Sequence, residues 1–397
     1  MSRLEELIRE LCPNGIEYKT LGEIAVDIFR GSGIKRDEIT EVGIPCVRYG
    51  EIYTTYGIWF DECISHTIEE NIQNPKYFEH GDILFAITGE SVEEIAKSCA
   101  YVGHEKCLAG GDIVVLKHNQ DPKYLSYVLS TSEAQKQKSK GKIKSKVVHS
   151  SVPAIQQIVV PIPPLEVQGE IVRILDNFTE LMAELMAELT ARKKQYEYYR
   201  DFLYGFSDTN MNVALFEWKC LKDLAINHDA KRKPVTKGNR EKGEYPYYGA
   251  SGIVDYVNDY IFDGDYLLIS EDGANLLARS TPIAFSISGK NWVNNHAHVL
   301  EFSDHTTRKY VEIYLNSIDL SRYISTAAQP KLTQDNLNKI GIPLLQKGEM
   351  ERIVSILEKF DTICTDLNTG IPAEIEARQK QYEYYRDKLL TFKELNE

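Results

Sequence analysis

Six lysines alternate through residues 135–146: Lys136, Lys138, Lys140, Lys142, Lys144 and Lys146, with no acidic residue between them. In an extended segment successive side chains point to opposite faces, so all six would line one side. A row of ammonium groups suits phosphates, because each charge neutralised releases counterions. The bland reading is a solvated lysine loop. A second cluster, Lys231, Arg232, Lys233, Lys237, Arg240 and Lys242, is interrupted only by Glu241. Arg30, Lys35, Arg36 and Arg48 stand beside Gly31, Gly33 and Gly50. A guanidinium in a glycine-rich loop can reach a guanine edge and bond it with two donors. Taken singly, each is more often just a surface arginine.

Catalytic signals are missing. The sequence holds no G-x-x-x-x-G-K-[ST] phosphate loop, no G-x-G-x-x-G and no G-x-S-x-G turn. Asn74-Pro-Lys-Tyr77 is similar to the N-P-P-Y of amino-methyltransferases, but lysine replaces the second proline and no cofactor-binding glycine motif accompanies it. Cys99, His104 and Cys107 have loose metal-like spacing without a fourth ligand nearby. His296 and His298 would share one strand face, with no carboxylate or third histidine attached. All three groups read as structural. No catalytic residue and no metal site is expected.

The chain that must position the basic groups has 397 residues, room for two or three domains. It is 43% hydrophobic and 26% charged, an ordinary globular composition. Its net charge of −13 excludes a histone-like coat of nucleic acid and leaves local basic patches possible. Seven scattered cysteines without a C-x-x-C suggest a reduced, cytoplasmic chain. The start has no signal-peptide pattern and no apolar run reaches 18 residues, so no membrane span is expected.

An internal repeat organises the rest. Gln195-Tyr-Glu-Tyr-Tyr-Arg-Asp201 recurs letter for letter as residues 381–387, at an offset of 186. Ala191-Arg192, Leu203 and Phe206 recur as Ala377-Arg378, Leu389 and Phe392. Ile162-Pro163 matches Ile342-Pro343 at 180, and Ile174, Leu175 and Phe178 match Ile356, Leu357 and Phe360 at 182. A duplication with short insertions produces such drift. Two copies of this length do not make a solenoid.

Each half gives a strand-rich block, then an I-P segment, then a long helix. The blocks run from about Tyr18 to Pro164 and from about Trp218 to Leu345. From Val167 the apolar positions are Ile171, Ile174, Phe178, Leu181, Leu185, Leu189, Tyr196, Tyr199, Leu203 and Phe206. This is a heptad seam carrying one extra step of four, a stutter at the tandem Met182-Ala-Glu-Leu185 and Met186-Ala-Glu-Leu189. The second seam breaks at Thr369-Gly-Ile-Pro372, where glycine stops a helix and proline opens the next. Tyr196 and Tyr199 lie on the seam and would seal the helix pair. Tyr198 and Arg200 lie off it, as do Tyr384 and Arg386 in the second copy. The repeated tyrosines and arginines, with Tyr382 and Tyr385, read as a partner-binding surface offered twice.

These helical motifs resemble type I restriction-modification specificity subunits. Pro161-Ile-Pro-Pro-Leu-Glu-Val-Gln168, residues 170–178, the tandem Met-Ala-Glu-Leu and residues 192–201 look like that family's central region. The likeness is greatest to the type IC branch, whose central region carries tandem T-A-E-L-like units. Residues 371–387 resemble the branch's C-terminal region. Tyr247–Gly252, Glu271–Leu276 and Ala328–Gln334 resemble segments of its target-recognition domains. Lys331 joins the DNA-binding candidates from that last segment.

The resemblance implies an α+β fold. Two target-recognition α/β domains in pseudo-two-fold arrangement would be joined by two long antiparallel helices, a coiled-coil-like spacer. The expected boundaries are 1–165, 166–206, 207–345 and 346–397, the last helix broken near 370. It implies a non-catalytic subunit that reads an asymmetric, bipartite site on double-stranded DNA. Two modification subunits would dock on the helices, and restriction motor subunits would join through them. The chain itself would need no cofactor, S-adenosylmethionine and ATP belonging to those partners. A pure protein-protein scaffold with duplicated β-rich binding domains is the rival reading. It explains the off-seam tyrosines equally well but leaves the basic clusters without a role.

Overall fold

A computed structural model describes residues 2–142, 147–204, 217–279, 281–325, 329–366 and 368–395. The chain gathers into two compact units, Met1–Leu185 with Ile375–Glu397, and Met186–Glu374. Both the helix Leu165–Tyr204 and the helix Ile371–Leu389 are divided between them. Each unit thus combines one β-rich block, the first stretch of the helix that follows it, and the closing stretch of the other helix.

In the first unit, Tyr18–Thr20 pairs antiparallel with Val159–Pro161, Tyr18 opposite Pro161. A five-stranded sheet follows in the spatial order Ala25–Arg30, Ile113–His118, Ile83–Ala86, Ser98–Tyr101, Trp59–Phe60. Ile83–Ala86 and Ser98–Tyr101 are buried along their whole length. A second five-stranded sheet is built from Ile39–Thr40, Ser65–Thr67, Ile44–Val47, Cys107–Ala109 and Tyr77–Phe78. One core joins Phe85, Val114, Leu116, Tyr124 and Tyr127 to Val167, Ile171 and Leu175 of the long helix.

The second unit repeats the scheme. Glu217–Cys220 pairs antiparallel with Gly341–Leu344, Trp218 opposite Pro343. One four-stranded sheet holds Ala225–Asn227, Ala297–Phe302, Tyr266–Ser270 and Ala284–Ile287 in spatial order, and another holds Gly252–Val257, Lys242–Gly249, Lys290–Val293 and Phe262–Asp263.

Ladder register corrects one alignment. Leu21 N–H donates to Ile158 O at 2.8 Å, and Leu221 N–H to Ile340 O at 2.9 Å. The buried Tyr124 hydroxyl donates to Pro161 O at 3.1 Å, and that of Tyr310 to Pro343 O at 2.7 Å. Pro343 is therefore the counterpart of Pro161, not of Pro163, and the offset is 182 from Pro161 through Phe178. The short Ile-Pro match misled because Pro161, Pro163 and Pro164 crowd one segment, whereas the partner strand fixes which proline is equivalent.

The helical stretches pack within each unit. In the second, Arg192 and Lys193 lie by Cys364, Tyr196 by Asp361 and Tyr199 against Phe360. Partner numbers fall as the helix advances, so these stretches run antiparallel. In the first, Phe178 stacks on Tyr385, and Leu389 and Leu390 join the core of Val167 and Ile171. At the tandem tetrapeptide the seam residues Leu185 and Leu189 are half-exposed, and Met186, off the seam, is 59% exposed. The helix Lys347–Thr365 ends before a tight turn, in which the Asp366 carboxylate accepts from Asn368 N–H at 2.7 Å and from the Thr369 hydroxyl at 2.6 Å. A Cβ on Gly370 would meet Asp366 O at 2.7 Å, so only glycine closes that turn.

Candidate nucleic-acid interface

In the first unit the glycine-rich segments converge. A Cβ on Gly31 would meet Gly110 O at 2.3 Å, so the missing side chain is what lets Gly31 and Gly110 meet. Gly110, with Gly33, Gly50 and Gly111, borders a cavity of about 520 Å³ lined also by Arg36, Arg48, Tyr49, Glu51 and Asp112. Arg30 lies beside this rim, its guanidinium donating to Asp112 at 2.7 Å and to Gly111 O. Arg48 pairs with Glu51 at 3.1 Å, and Glu51 also accepts from the Ser65 hydroxyl at 2.7 Å. Arg36 and Lys35 are exposed, Lys35 within 3.6 Å of Glu38. The four cations seen in the sequence thus come from one neighbourhood. Gly110-Gly111-Asp112 and Tyr49, which complete it, went unremarked there, although Gly-Gly-Asp is itself a turn signal.

The lysine run is not extended. Ser132–Ser139 is a helix, capped by the Thr131 side chain accepting from Ala134 N–H. At about 100° per residue, positions two apart fall on opposite faces of a helix, so period-two lysines cannot share one. Lys136 points out, 3.3 Å from Glu133. Lys138 points in, its ammonium donating to Leu129 O at 2.7 Å and Ser98 Oγ at 3.2 Å. Burial pulls its pKa down to about 7. Lys138 therefore anchors the helix and presents no charge outward. Lys140 is exposed and Lys142 half-exposed, while Lys144 and Lys146 lie outside the described residues.

In the second unit the basic cluster splits in two. Lys231, Lys233, Lys237 and Lys242 are exposed. Arg232 is turned inward, donating to Glu271 at 3.0 Å and Ala297 O at 2.8 Å. Lys331 meets the same Glu271 at 3.0 Å. Beside them Asp229 accepts from His298 at 2.6 Å, and the other His298 nitrogen lies 2.7 Å from Leu332 O. Burial pushes the Asp229 carboxyl up, but the His298 bond and the Arg232 charge outweigh it and hold the group below the usual range. Burial likewise opposes Lys331 and Arg232 at Glu271, and again the cations win. Arg240 pairs with Asp255 at 3.2 Å and lies over the Tyr247 ring. Arg232 and Arg240 are thus struts, not free reading groups. Lys290, exposed and 4.7 Å from the Tyr260 ring centroid, is a cation the sequence did not single out.

The repeated tyrosines divide the same way in both copies. Tyr196 and Tyr382 are half-buried, and burial pushes each phenol up to about 12. Tyr198 and Tyr384 are 65% and 61% exposed. Tyr198 stacks on the exposed Phe202, whereas Tyr384 has Lys388 nearby. Tyr199 and Tyr385 hold the ring contacts across the helix pairs and stay partly open. Arg200 and Arg386 are mostly covered, each drawn to the aspartate that follows it at 2.7 Å. Cys99 and Cys107 are buried while His104 is exposed, and among the described residues no group of three His, Cys, Asp or Glu could hold a metal.

The family model described as type I restriction modification DNA specificity domain matches residues 13–192 and again 215–377. The chain belongs to that family. Among its relatives, the EcoR124I/EcoR124II specificity subunit of Escherichia coli is 35% identical over 58% of this chain and 61% of its own length. The EcoprrI specificity subunit of the same species is 32% identical over 52% of this chain and 51% of its own length. The matched part of this chain thus spans half to three-fifths of those relatives. A crystal structure of a type I restriction-modification S subunit from M. genitalium shares the fold, with TM-score 0.55 at 15% identity over 95% of this chain and 96% of that one. A chain from a structural study of type I R-M complex assembly gives TM-score 0.59, also at 15% identity, over 95% of this chain and 98% of that one. The two matches of this specificity-domain family fall one on each β-rich block with its following helix. No described helix is long and apolar enough to cross a membrane.

Proposed function

We propose that this chain is the non-catalytic DNA-specificity subunit of a type I restriction-modification complex. Each β-rich block reads one half of a bipartite site on double-stranded DNA. The blocks differ in sequence, so the half-sites differ and the whole site is asymmetric. The observation that carries this reading is the glycine-bordered cleft with Arg36 and Arg48, set in one of two matched specificity domains. Arg36 and Arg48, with Arg30 at the rim, are placed to meet base edges. Lys35, Lys136, Lys140, Lys142, Lys231, Lys233, Lys237 and Lys242 meet phosphates and set register without reading sequence.

The helices fix the distance between half-sites and dock two modification subunits, Tyr198 and Tyr384 supplying open apolar rings. Restriction motor subunits join through them. S-adenosylmethionine and ATP are bound by those partners, and the complex works in the cytoplasm. Methylome sequencing of a host carrying this chain with its modification partner tests the reading. One asymmetric bipartite motif with a fixed spacer is expected, and a palindromic or continuous motif would refute it.

A further inference from the structure

Arg36 and Arg48 mark a cleft in the first unit, and hydrogen-bond register locates the same corner in the second. Gly110 N–H donates to Val47 O at 2.9 Å, and Asn294 N–H to Tyr248 O at 3.1 Å. Ile87 N–H donates to Asp112 O, and Glu271 N–H to His296 O, both at 2.9 Å. Ser150 N–H donates to Ile87 O at 2.8 Å, and Leu332 N–H to Glu271 O at 3.0 Å. In each unit the first bond continues a parallel pair, Val47 beside Ala109 and Tyr248 beside Val293. Gly110, Gly111 and Asp112 therefore correspond to Asn294, Asn295 and His296, and Arg48 corresponds to Gly249.

Across this corner glycine and side chain have changed places. A Cβ on Gly110 would lie 2.8 Å from Val47 O and 3.4 Å from Arg48 Cα, and one on Gly249 would lie 3.4 Å from Asn294 Nδ2. The first unit thus sends a guanidinium from the strand end, and the second presents amides from the facing turn. Asn294 makes that turn. It is buried, and its Oδ1 accepts from His296 N–H at 2.8 Å. Asp272 holds the His296 ring at 3.0 Å. Asn295, between them, is exposed, and its amide bonds to no described residue. Its φ is not positive, so the backbone does not call for asparagine there. The turn lies against the tip of the hairpin Lys242–Gly249 and Gly252–Val257, whose edge strand leaves Ile253, Val254 and Tyr256 exposed. A two-stranded ribbon of this kind fits the major groove of DNA.

We propose, resting on the DNA-reading function above, that Asn295 reads an adenine in the half-site of the second unit. Its amide oxygen accepts from adenine N6, and its amide nitrogen donates to N7, a pairing that marks one base pair out from the other three. Arginine in the first unit suits guanine instead, so the two corners read different bases with one backbone frame.

The full chain with its modification partner is compared with variants by methylome sequencing and by DNA titration. Asn295→Ala should relax one adenine position in one half-site and lower affinity for the wild-type site about tenfold. Arg48→Ala should loosen only the other half-site. Asn295→Asp, which can only accept, should turn the preference at the same position from adenine to cytosine, whose N4 donates. A turn that had merely lost its shape would not exchange one base for another. An unchanged motif in both Asn295 variants, a change at a position other than adenine, or equal weakening on every sequence would overturn the assignment. A wild-type motif that is palindromic or continuous would instead count against the proposed function.

Discussion

Phe178 stacks on Tyr385 with ring centroids 5.9 Å apart, and Tyr199 meets Phe360 at 5.6 Å. Phe178 and Phe360 are equivalent in the repeat, as are Tyr199 and Tyr385. Each tyrosine copy therefore closes on the helix that follows the other half's β-rich block. This explains why the most faithfully repeated segment is also the one that holds each unit's helices together.

Tyr199→Ala and Tyr385→Ala should each destabilise the fold by about 1–2 kcal/mol, since both rings are only partly buried. Tyr198→Ala, which opens no such contact, should cost under about 0.5 kcal/mol but weaken binding of the modification subunit. Denaturant unfolding and a binding titration read both. A large unfolding shift for Tyr198→Ala would contradict the division between packing and docking rings.

Lys138 should make stability depend on pH. Folded, it gives up its proton near pH 7, whereas the unfolded side chain holds it to the ordinary value of 10.5. Between those values the unfolded chain binds the extra proton, so stability rises with pH from about 7 and levels off towards 10.5. Lys138→Met should remove that rise and leave DNA affinity unchanged. Unfolding curves at about pH 6.5 and about pH 9 check it.

Neutralising Lys231, Lys233 and Lys237 together should weaken binding to all DNA sequences and lower the salt slope by about 2–3. Arg232→Ala should act differently. It leaves Glu271 to Lys331 and Asp229 to His298 in a covered site and should cost about 1–3 kcal/mol of stability. Salt-dependent binding and thermal unfolding separate the two, and equal effects on both would refute the assignment.

Deleting Met186–Leu189 should shorten the spacer between half-sites by one or two base pairs and leave both half-sites unchanged. Four residues are about 6 Å of helix, against about 3.4 Å per base pair. Met186 is largely exposed, so little packing is lost. Methylation mapping of the deletion variant decides it, and an unchanged spacer would end the idea of a ruler.

The helices were legible in the sequence because their seam repeats over many turns and Gly370 marks the break. The opening strands of the blocks were legible too, yet were passed over. Glu17-Tyr-Lys-Thr-Leu and Glu217-Trp-Lys-Cys-Leu share a pattern, and each pairs with the strand that ends its block. The lysine run misled because alternation alone does not establish a strand, and Thr131 already signalled a helix cap. Which arginines are free was not legible at all. Arg36 is open, while Arg232 is braced by Asp229 three residues before it and by Glu271 far away in sequence, which no local spacing records.

The approach of Gly31 to Gly110 bears on how such a protein diversifies. Main chain meets main chain there, so the cleft is held by a contact that rim side chains do not make. Arg36 or its neighbours can mutate, and the specificity drift, while the frame that presents them is inherited intact. A side chain at Gly31 would break that frame, whereas a change at Arg36 would leave it standing.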